Sequence, residues 1–169
     1  MESYRIQPCA ALELGCGTGN NAFWLADRGF EVKAVDLSSL AVEAARKKAS
    51  LLKISVEFMV ADVLSDALPE GPFGFAFDRG CLHSIDTPGN RRKFAEAVWR
   101  GLADGGIWLS LIGSTDGPKR ESGPPRWSMG DIAAAVESRF EILELTTTHF
   151  DSNLPEPARA WVCVMRKRA

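Results

Sequence analysis

Residues 12–21 read LELGCGTGNN, with glycines at positions 15, 17 and 19 directly behind a mostly apolar run. A glycine that is held still on folding costs conformational entropy, so such a cluster indicates backbone that bends tightly or lets another group approach closely. A short apolar run that stops at glycine is typical of a buried parallel strand. Because Glu13 lies inside this run, we expect a carboxylate facing residues 15–19, which we call the glycine loop.

Strand-like and helix-like segments alternate along the chain around this loop. The predicted strands are residues 9–15, 30–36, 54–62, 73–80, 106–113, 140–150 and 159–167, and the predicted helices are residues 20–29, 40–50, 90–106 and 128–138. Ser38 or Ser39 is expected to cap the second helix, and Ser128 with Asp131 matches a capping box. The last two strands have no helix between them, so they can pair as an antiparallel hairpin. Five βα steps and a hairpin predict an α/β fold in one domain: a doubly wound sheet between two helix layers.

Composition excludes several classes of protein. The 169 residues are 46% hydrophobic and 25% charged, which is typical of a single soluble domain. A net charge of -2 gives no reason to expect a nucleic acid or an anionic membrane as partner. The four cysteines show neither CxxC pairing nor histidines at metal spacing, so we expect no metal site. Without a signal peptide or an apolar run of about 18 residues, the chain is predicted to be cytoplasmic.

The glycine loop also indicates a ligand. In a doubly wound sheet, ligands bind outside the carboxyl ends of the strands, beside the point where the strand order reverses. A dinucleotide fingerprint is G-x-G-x-x-G, whose main-chain amides hold a pyrophosphate. This chain instead has G-x-G-x-G preceded by Glu13, and a carboxylate there repels phosphate but suits a cationic amino acid or sulfonium. The pattern therefore favours S-adenosylmethionine over a nicotinamide dinucleotide.

Two further carboxylates end the second and third predicted strands. Asp36 follows the glycine loop by about twenty residues, where an acid can accept hydrogen bonds from both ribose hydroxyls. Asp62 can accept from an adenine amino group while Leu37 and Val63 enclose the ring. A single aspartate at a strand end is explained equally well by a turn or a cap. Three acids at three successive strand ends, together with the glycines, indicate a nucleoside-bearing ligand.

These stretches resemble the motifs of the class I S-adenosylmethionine-dependent methyltransferases. LELGCGTG (12–19) is similar to their first motif, VDLS (35–38) to their second and VAD (60–62) to their third. The resemblance implies a Rossmann-like, seven-stranded, mostly parallel sheet of order 3-2-1-4-5-7-6 with its last strand antiparallel. It also implies S-adenosylmethionine as cofactor and S-adenosylhomocysteine as product, with these cofactor-binding positions: Glu13, Gly15, Cys16, Gly17, Thr18, Gly19, Asp36, Leu37, Asp62, Val63 and Asp78.

Within that class, FAFDRGCLHSI (75–85) and RAWVCVMRK (159–167) look most like small-molecule enzymes of the thiopurine, thiol and tellurite-resistance type. The implied reaction is direct in-line transfer of a methyl group to a small acceptor, such as a thiol or another soft nucleophile. We expect the acceptor over the end of the fourth strand. There His83 either acts as general base and binds substrate or packs against the following helix. Arg79 either binds an anionic acceptor or pairs with a carboxylate.

The segment 114–127 is long for such a sheet and is predicted to be either a lid or a disordered loop. Arg126 and Trp127 are expected to form its substrate-contacting tip. Relatives commonly carry helices before the first strand that cover the acceptor, whereas here that strand begins within about ten residues of Met1. Either the chain is truncated, or the 114–127 segment or a second subunit in a homodimer closes the site.

Other functional classes fit less well. A non-catalytic S-adenosylmethionine-binding module would keep the fold and the cofactor without transfer. A nicotinamide-dependent oxidoreductase would need the G-x-G-x-x-G pattern, which this chain lacks. A nucleic-acid methyltransferase is disfavoured because no NPPY-like tetrapeptide follows the fourth strand and no basic aromatic stripe is visible. Cys81 is expected to be a small packed residue rather than a nucleophile, and His149 is expected to be structural.

Overall fold

The computed structural model describes residues 6–118, 123, 125–151 and 156–169. The strands are β1 (Ala10–Leu14), β2 (Glu31–Asp36), β3 (Glu57–Val60), β4 (Phe73–Arg79), β5 (Leu102–Gly113), β6 (Phe140–His149) and β7 (Arg159–Lys167). The helices are α1 (Asn20–Asp27), α2 (Ser39–Leu52), α3 (Pro88–Gly101) and α4 (Met129–Val136), and one 3-10 turn, Leu82–Ser84, follows β4.

All seven strands form one sheet of order β3-β2-β1-β4-β5-β7-β6. Strands β1 to β5 run parallel, and β7 pairs antiparallel with both β5 and β6. This arrangement confirms the predicted fold, including the order and the antiparallel last strand. The order reverses between β1 and β4, because β1 pairs with β2 on one side and with β4 on the other. The glycine loop leaves the sheet at this reversal point.

Helices cover both faces of the sheet, and each face has its own hydrophobic core. Helices α1 and α2 bury residues such as Phe23 and Val42 on one face. Helices α3 and α4 bury residues such as Phe94 and Ile132 on the other. Because successive side chains of a strand point to opposite faces, the buried strands supply both cores with apolar residues, and the sheet is a three-layer sandwich.

Local capping follows the predicted pattern. The Ser38 hydroxyl accepts a hydrogen bond from the N–H of Ala41 at 3.3 Å, which caps α2. Ser128 and Asp131 form the reciprocal capping box at the start of α4. These contacts fix where the two helices begin, and so fix the loops that precede them.

Three details differ from the prediction. Strand β3 has four residues, shorter than the predicted segment 54–62. Strand β5 begins at Leu102, within the predicted third helix, because Leu102 is buried and pairs with Phe73 of β4. The connection 61–72 contains turns and no helix, so four βα steps are present rather than five. No helix in the described ranges is both long and apolar enough to span a bilayer.

Candidate active site

A cavity of about 390 Å³ opens at the carboxyl ends of strands β1 to β4. Six residues that the sequence analysis singled out contribute to its lining: Gly15, Asp36, Leu37, Asp62, Val63 and Arg79. A larger groove, of about 680 Å³, lies at the opposite ends of the strands, where it is lined by Ala10, Glu31 and Glu57 among others. None of the predicted site residues lines that groove, so the smaller cavity is the candidate active site.

Two glycines of the loop differ in what surrounds them. Gly15 has a φ of 68°, and a Cβ added there would lie 2.8 Å from the Cβ of Cys81. Gly17 has a φ of 54°, but a Cβ added there would meet no atom within 4 Å. Packing against Cys81 therefore requires glycine at position 15, whereas the main chain at Gly17 faces open space. Cys16 and Gly19 are buried and Thr18 is exposed.

The carboxylate of Asp36 binds the glycine loop. Its Oδ2 accepts from the N–H of Gly17 at 2.7 Å, and its Oδ1 accepts from the N–H of Ser38 at 2.9 Å. Each carboxylate oxygen has a second lone pair, so Asp36 can still accept bonds from a ligand in the cavity. Strand β2 thus positions Asp36 between the loop and the cavity.

The carboxylate of Asp62 shapes the turn after β3. Its Oδ1 accepts from the N–H of Leu64 at 2.9 Å, and its Oδ2 accepts from the hydroxyl of Ser65 at 3.1 Å. This is the turn role that a single aspartate at a strand end often has. Asp62 also lines the cavity, so the turn role and the predicted ligand role are compatible.

Glu13 lies beside the first turn of α1 with its side chain almost completely buried, at 1% exposure. Its Oε1 accepts from the side-chain amide of Asn21 at 3.1 Å. Its Oε2 is buried and has no hydrogen-bond partner among the described residues. Burial raises the pKa of Glu13 to about 7. Sequence reasoning missed Asn21, and its only signal was a polar amide two positions after the last loop glycine.

Asp78 is completely buried and does not line the cavity. It accepts hydrogen bonds from the N–H groups of Cys81 and Leu82, at 3.1 and 3.0 Å, and from Nε1 of Trp108 at 3.0 Å. Burial raises the pKa of Asp78 to about 6. The structure therefore places Asp78 beneath the turn that follows β4, where it fixes the backbone behind the cavity wall.

His83 is buried in the 3-10 turn after β4, at 4% exposure. Its Nδ1 accepts from the N–H of Gly113 at 2.7 Å, and its ring packs edge-on against Phe150 at 5.7 Å between centroids. Burial lowers the pKa of His83 to about 4, so the ring is neutral at physiological pH. Because Nδ1 is already an acceptor and the ring does not line the cavity, the geometry favours a structural role over the base, with contacts to Gly113 and Phe150 rather than to the following helix.

Arg79 lines the cavity from the end of β4. Its guanidinium donates to the main-chain carbonyl of Asp151 at 3.0 Å and lies 5.5 Å from the ring centroid of Phe150. Its observed partners are thus a carbonyl and an aromatic ring, both at the end of β6, rather than the neighbouring Asp78. These contacts bring the β6–β7 connection to the cavity mouth.

The predicted loop tip has a different environment. Trp127 is buried in the core at 2% exposure, and the guanidinium of Arg91 lies 4.0 Å from its ring centroid. Long-range packing buries this residue, which argues against the predicted substrate-contacting tip. Arg126 donates to the carbonyls of Gly117 and Pro118 at 3.1 and 2.9 Å. Residues 119–122 and 124, which the lid prediction also includes, lie outside the described residues.

Two cysteines lie beside the cavity. Burial raises the pKa of Cys16 to about 12 and raises that of Cys81 well above its usual range. Both thiols are therefore protonated and poorly nucleophilic at neutral pH.

In the part of the chain that the structure describes, no group of three or more His, Cys, Asp or Glu is placed to hold a metal ion.

A family model described as a methyltransferase domain matches residues 11–106, which include the glycine loop and strands β1 to β4. The chain belongs to the class I S-adenosylmethionine-dependent methyltransferases. This membership confirms the resemblance of the sequence motifs. It also argues against the nicotinamide-dependent alternative.

One curated relative and one solved structure are similar to this methyltransferase chain over most of its length. It is 27% identical over 139 residues to the 2-heptyl-1-hydroxyquinolin-4(1H)-one methyltransferase of Mycobacteroides abscessus, a match that covers 73% of this chain and 61% of that protein. The chain thus spans less than two thirds of that relative. A solved S-adenosylmethionine-dependent methyltransferase of Methanosarcina mazei has a TM-score of 0.85 at 19% identity, covering 98% of this chain and 95% of its own.

A further solved structure concerns the conversion of a disulfide bond into a thioacetal group during echinomycin biosynthesis. It has a TM-score of 0.85 at 25% identity and covers 98% of this methyltransferase chain and 79% of its own.

The family's cofactor is S-adenosylmethionine, and the described residues fit it. The orphaned Oε2 of Glu13 suits a cationic amino group, and the open main chain at Gly17 leaves room for a ligand. Asp36 and Asp62 both line the cavity and both keep acceptor capacity. Glu13 and Gly17 therefore suit the amino-acid end of the cofactor, and Asp36 and Asp62 suit its nucleoside end.

Proposed function

We propose that this chain catalyses S-adenosylmethionine-dependent methyl transfer to a small-molecule acceptor, with a thiol or another soft nucleophile as the acceptor group. The single observation that carries the proposal is the cavity at the sheet reversal point, which Asp36, Asp62 and Arg79 all line. When bound, S-adenosylmethionine supplies a methyl group that its positive sulfur has already activated for direct in-line displacement.

On the cofactor side, the chain's residues bind and orient. Glu13 does not itself line the cavity, but it lies two residues before Gly15, which does. It is the candidate partner for a cationic amino group, because one of its oxygens is buried without a hydrogen-bond partner among the described residues. Asp36 is the candidate partner for the ribose hydroxyls and Asp62 for the adenine amino group. Leu37 is 73% exposed, and it lines the cavity together with Val63. These two side chains are the candidate apolar contacts of the adenine ring.

On the acceptor side, neither His83 nor Cys81 is available as a base. His83 is neutral and accepts a main-chain hydrogen bond, and the Cys81 thiol is protonated. An acceptor that is already a good nucleophile, such as a thiolate, needs no protein base. Arg79 at the cavity mouth would stabilise such an anion. The similar solved structure that concerns the conversion of a disulfide bond into a thioacetal group also supports a sulfur acceptor.

A second candidate is a binding module without transfer activity. The observation that favours it is the same buried His83, since no other histidine was predicted near the cavity. Under this alternative the chain binds S-adenosylmethionine but transfers no methyl group.

The test is incubation with methyl-labelled S-adenosylmethionine and a panel of thiols, phenols and amines. We expect transfer to thiols, and a kcat/KM lowered by about tenfold or more in Asp36→Asn, because that change removes a charged acceptor of ligand hydrogen bonds. The matched control is Asp27→Asn at the opposite groove, which should behave like the unchanged protein. Cofactor binding without transfer to any acceptor would support the binding module, and absence of binding would refute both.

A further inference from the structure

Glu13 and Asn21 form a buried pair at the junction of β1 and α1. The side-chain amide of Asn21 donates to Oε1 of Glu13 at 3.1 Å, while Oε2 is buried without a partner among the described residues. The N–H of Ala22 also faces this carboxyl group, but Oε2 makes no hydrogen bond of normal geometry with any described residue in this buried site. A buried polar atom in that state needs either a ligand or a proton.

The groups that face Glu13 come from four parts of the chain. Helix α1 supplies the amide of Asn21 and the N–H of Ala22, and the glycine loop supplies the thiol of Cys16. Strands β2 and β4 supply the carboxylates of Asp36 and Asp78. The two charged groups that most affect Glu13 are both carboxylates. Burial and two nearby negative groups therefore favour the protonated, neutral form of Glu13.

We infer that Glu13 carries a proton in the free chain below neutral pH and releases it when the cofactor binds, and that Asn21 is the positioning residue that holds Glu13 for this exchange. The inference rests on the proposed function, because the cofactor's ammonium group supplies the cation that the site lacks. The proton passes from the Glu13 carboxyl group to the solvent. The resulting carboxylate faces the ammonium group, with no other bond made or broken.

The pH dependence of cofactor affinity follows from the ionisation of Glu13. Its pKa in the free chain is about 7, raised by burial. If the bound form is ionised throughout, affinity for the cofactor should be about tenfold weaker at pH 6 than at pH 8, because the proton must first leave. About 0.9 proton per ligand should be released at pH 6 and about 0.1 at pH 8.

The experiment is titration calorimetry with S-adenosylhomocysteine, which has the amino group but no methyl group to transfer. Titrations at pH 6, 7 and 8 are run in phosphate and in imidazole, whose different ionisation enthalpies reveal the number of protons released. Glu13→Gln should bind more weakly at pH 8, with an affinity that does not change with pH and with no proton release. Glu31→Gln, an exposed change at the start of β2, is the matched control and should keep the full linkage.

Asn21→Leu tests the positioning role. Loss of the amide removes a contact that lowers the pKa of Glu13, so the midpoint of proton release should move to higher pH. Asn21→Gln should restore part of the original profile. A purely structural role would change affinity equally at all three pH values and would overturn the assignment of Asn21.

The outcomes separate this inference from the proposed function. Binding with no proton exchange and no pH dependence between pH 6 and 8 would overturn the inference and leave the function standing. Absence of binding at every pH, with folding verified by circular dichroism, would overturn the function as well.

Discussion

A methyl group added at Gly15 would lie 2.8 Å from Cβ and 2.9 Å from Sγ of Cys81, inside van der Waals contact. The same residue has a φ of 68°, a left-handed conformation that costs an L-residue about 1–2 kcal/mol. Overpacking of a filled site costs about 1–3 kcal/mol more. We therefore expect Gly15→Ala to lower the free energy of unfolding by about 2–5 kcal/mol, the sum of these two effects.

The matched control is Gly17→Ala, two positions along the same loop. Its φ of 54° gives the same left-handed strain, but no atom lies within 4 Å of the added Cβ. We expect a loss of only about 1–2 kcal/mol in unfolding free energy. Cofactor affinity should fall in this variant, because the methyl group occupies the open side of the loop. Urea unfolding followed by circular dichroism measures the stability of both variants, and calorimetry measures their affinity for S-adenosylhomocysteine.

A double variant isolates the contact. Cys81→Gly removes both atoms that the added methyl would meet, so it should recover most of the overpacking loss in the Gly15→Ala background. If Gly15→Ala is no less stable than Gly17→Ala, contact with Cys81 does not exclude a side chain at position 15. The same conclusion follows if Cys81→Gly restores no stability to Gly15→Ala.

Three further changes test the buried groups by urea unfolding at several pH values. The pKa of Glu13 rises from 4.5 to about 7 on burial, so the free chain loses stability as pH rises through that window. Glu13→Gln should gain about 3 kcal/mol at pH 7.5, and no gain would contradict the burial of its charge. The pKa of His83 falls from 6.5 to about 4 on burial, so stability is lost as pH falls through that window. The unchanged protein should lose about 3 kcal/mol of unfolding free energy between pH 6.5 and 4, and His83→Asn should lose much less. An equal loss in both proteins would contradict the burial of a neutral His83. Trp127→Ala should cost about 3–5 kcal/mol of unfolding free energy, whereas an exposed tryptophan would cost little.

The sequence predicted the parts of this protein that depend on local pattern. The apolar run before the glycine loop and the final pair of strands lie where they were expected, and strands and helices alternate except between β3 and β4. Asp36 and Asp62 lie at the cavity because parallel strands end at the same edge of the sheet, and that follows from chain order alone. Local spacing and connectivity were sufficient for these features.

The remaining differences arise from long-range contacts. Trp127 lies in a segment of loop composition, and its burial depends on Arg91 and on Trp161, whose Nε1 donates to the Trp127 carbonyl at 2.9 Å. His83 has the ordinary chemistry of a general base, but Gly113 of β5 occupies its Nδ1. Neither the burial of Trp127 nor the hydrogen bond of His83 can be inferred from neighbouring residues in the sequence. Both depend on how distant strands pack together.

The bond between Asp36 and the N–H of Gly17, 2.7 Å long, is made entirely within the chain. The tip of the loop is therefore preorganised, since strand β2 already restricts the conformations that Gly17 would otherwise sample. Less conformational entropy is then left to lose on association. A site built this way favours rapid, lock-and-key capture of its nucleoside, with affinity differences among analogues expressed mainly in their dissociation rates.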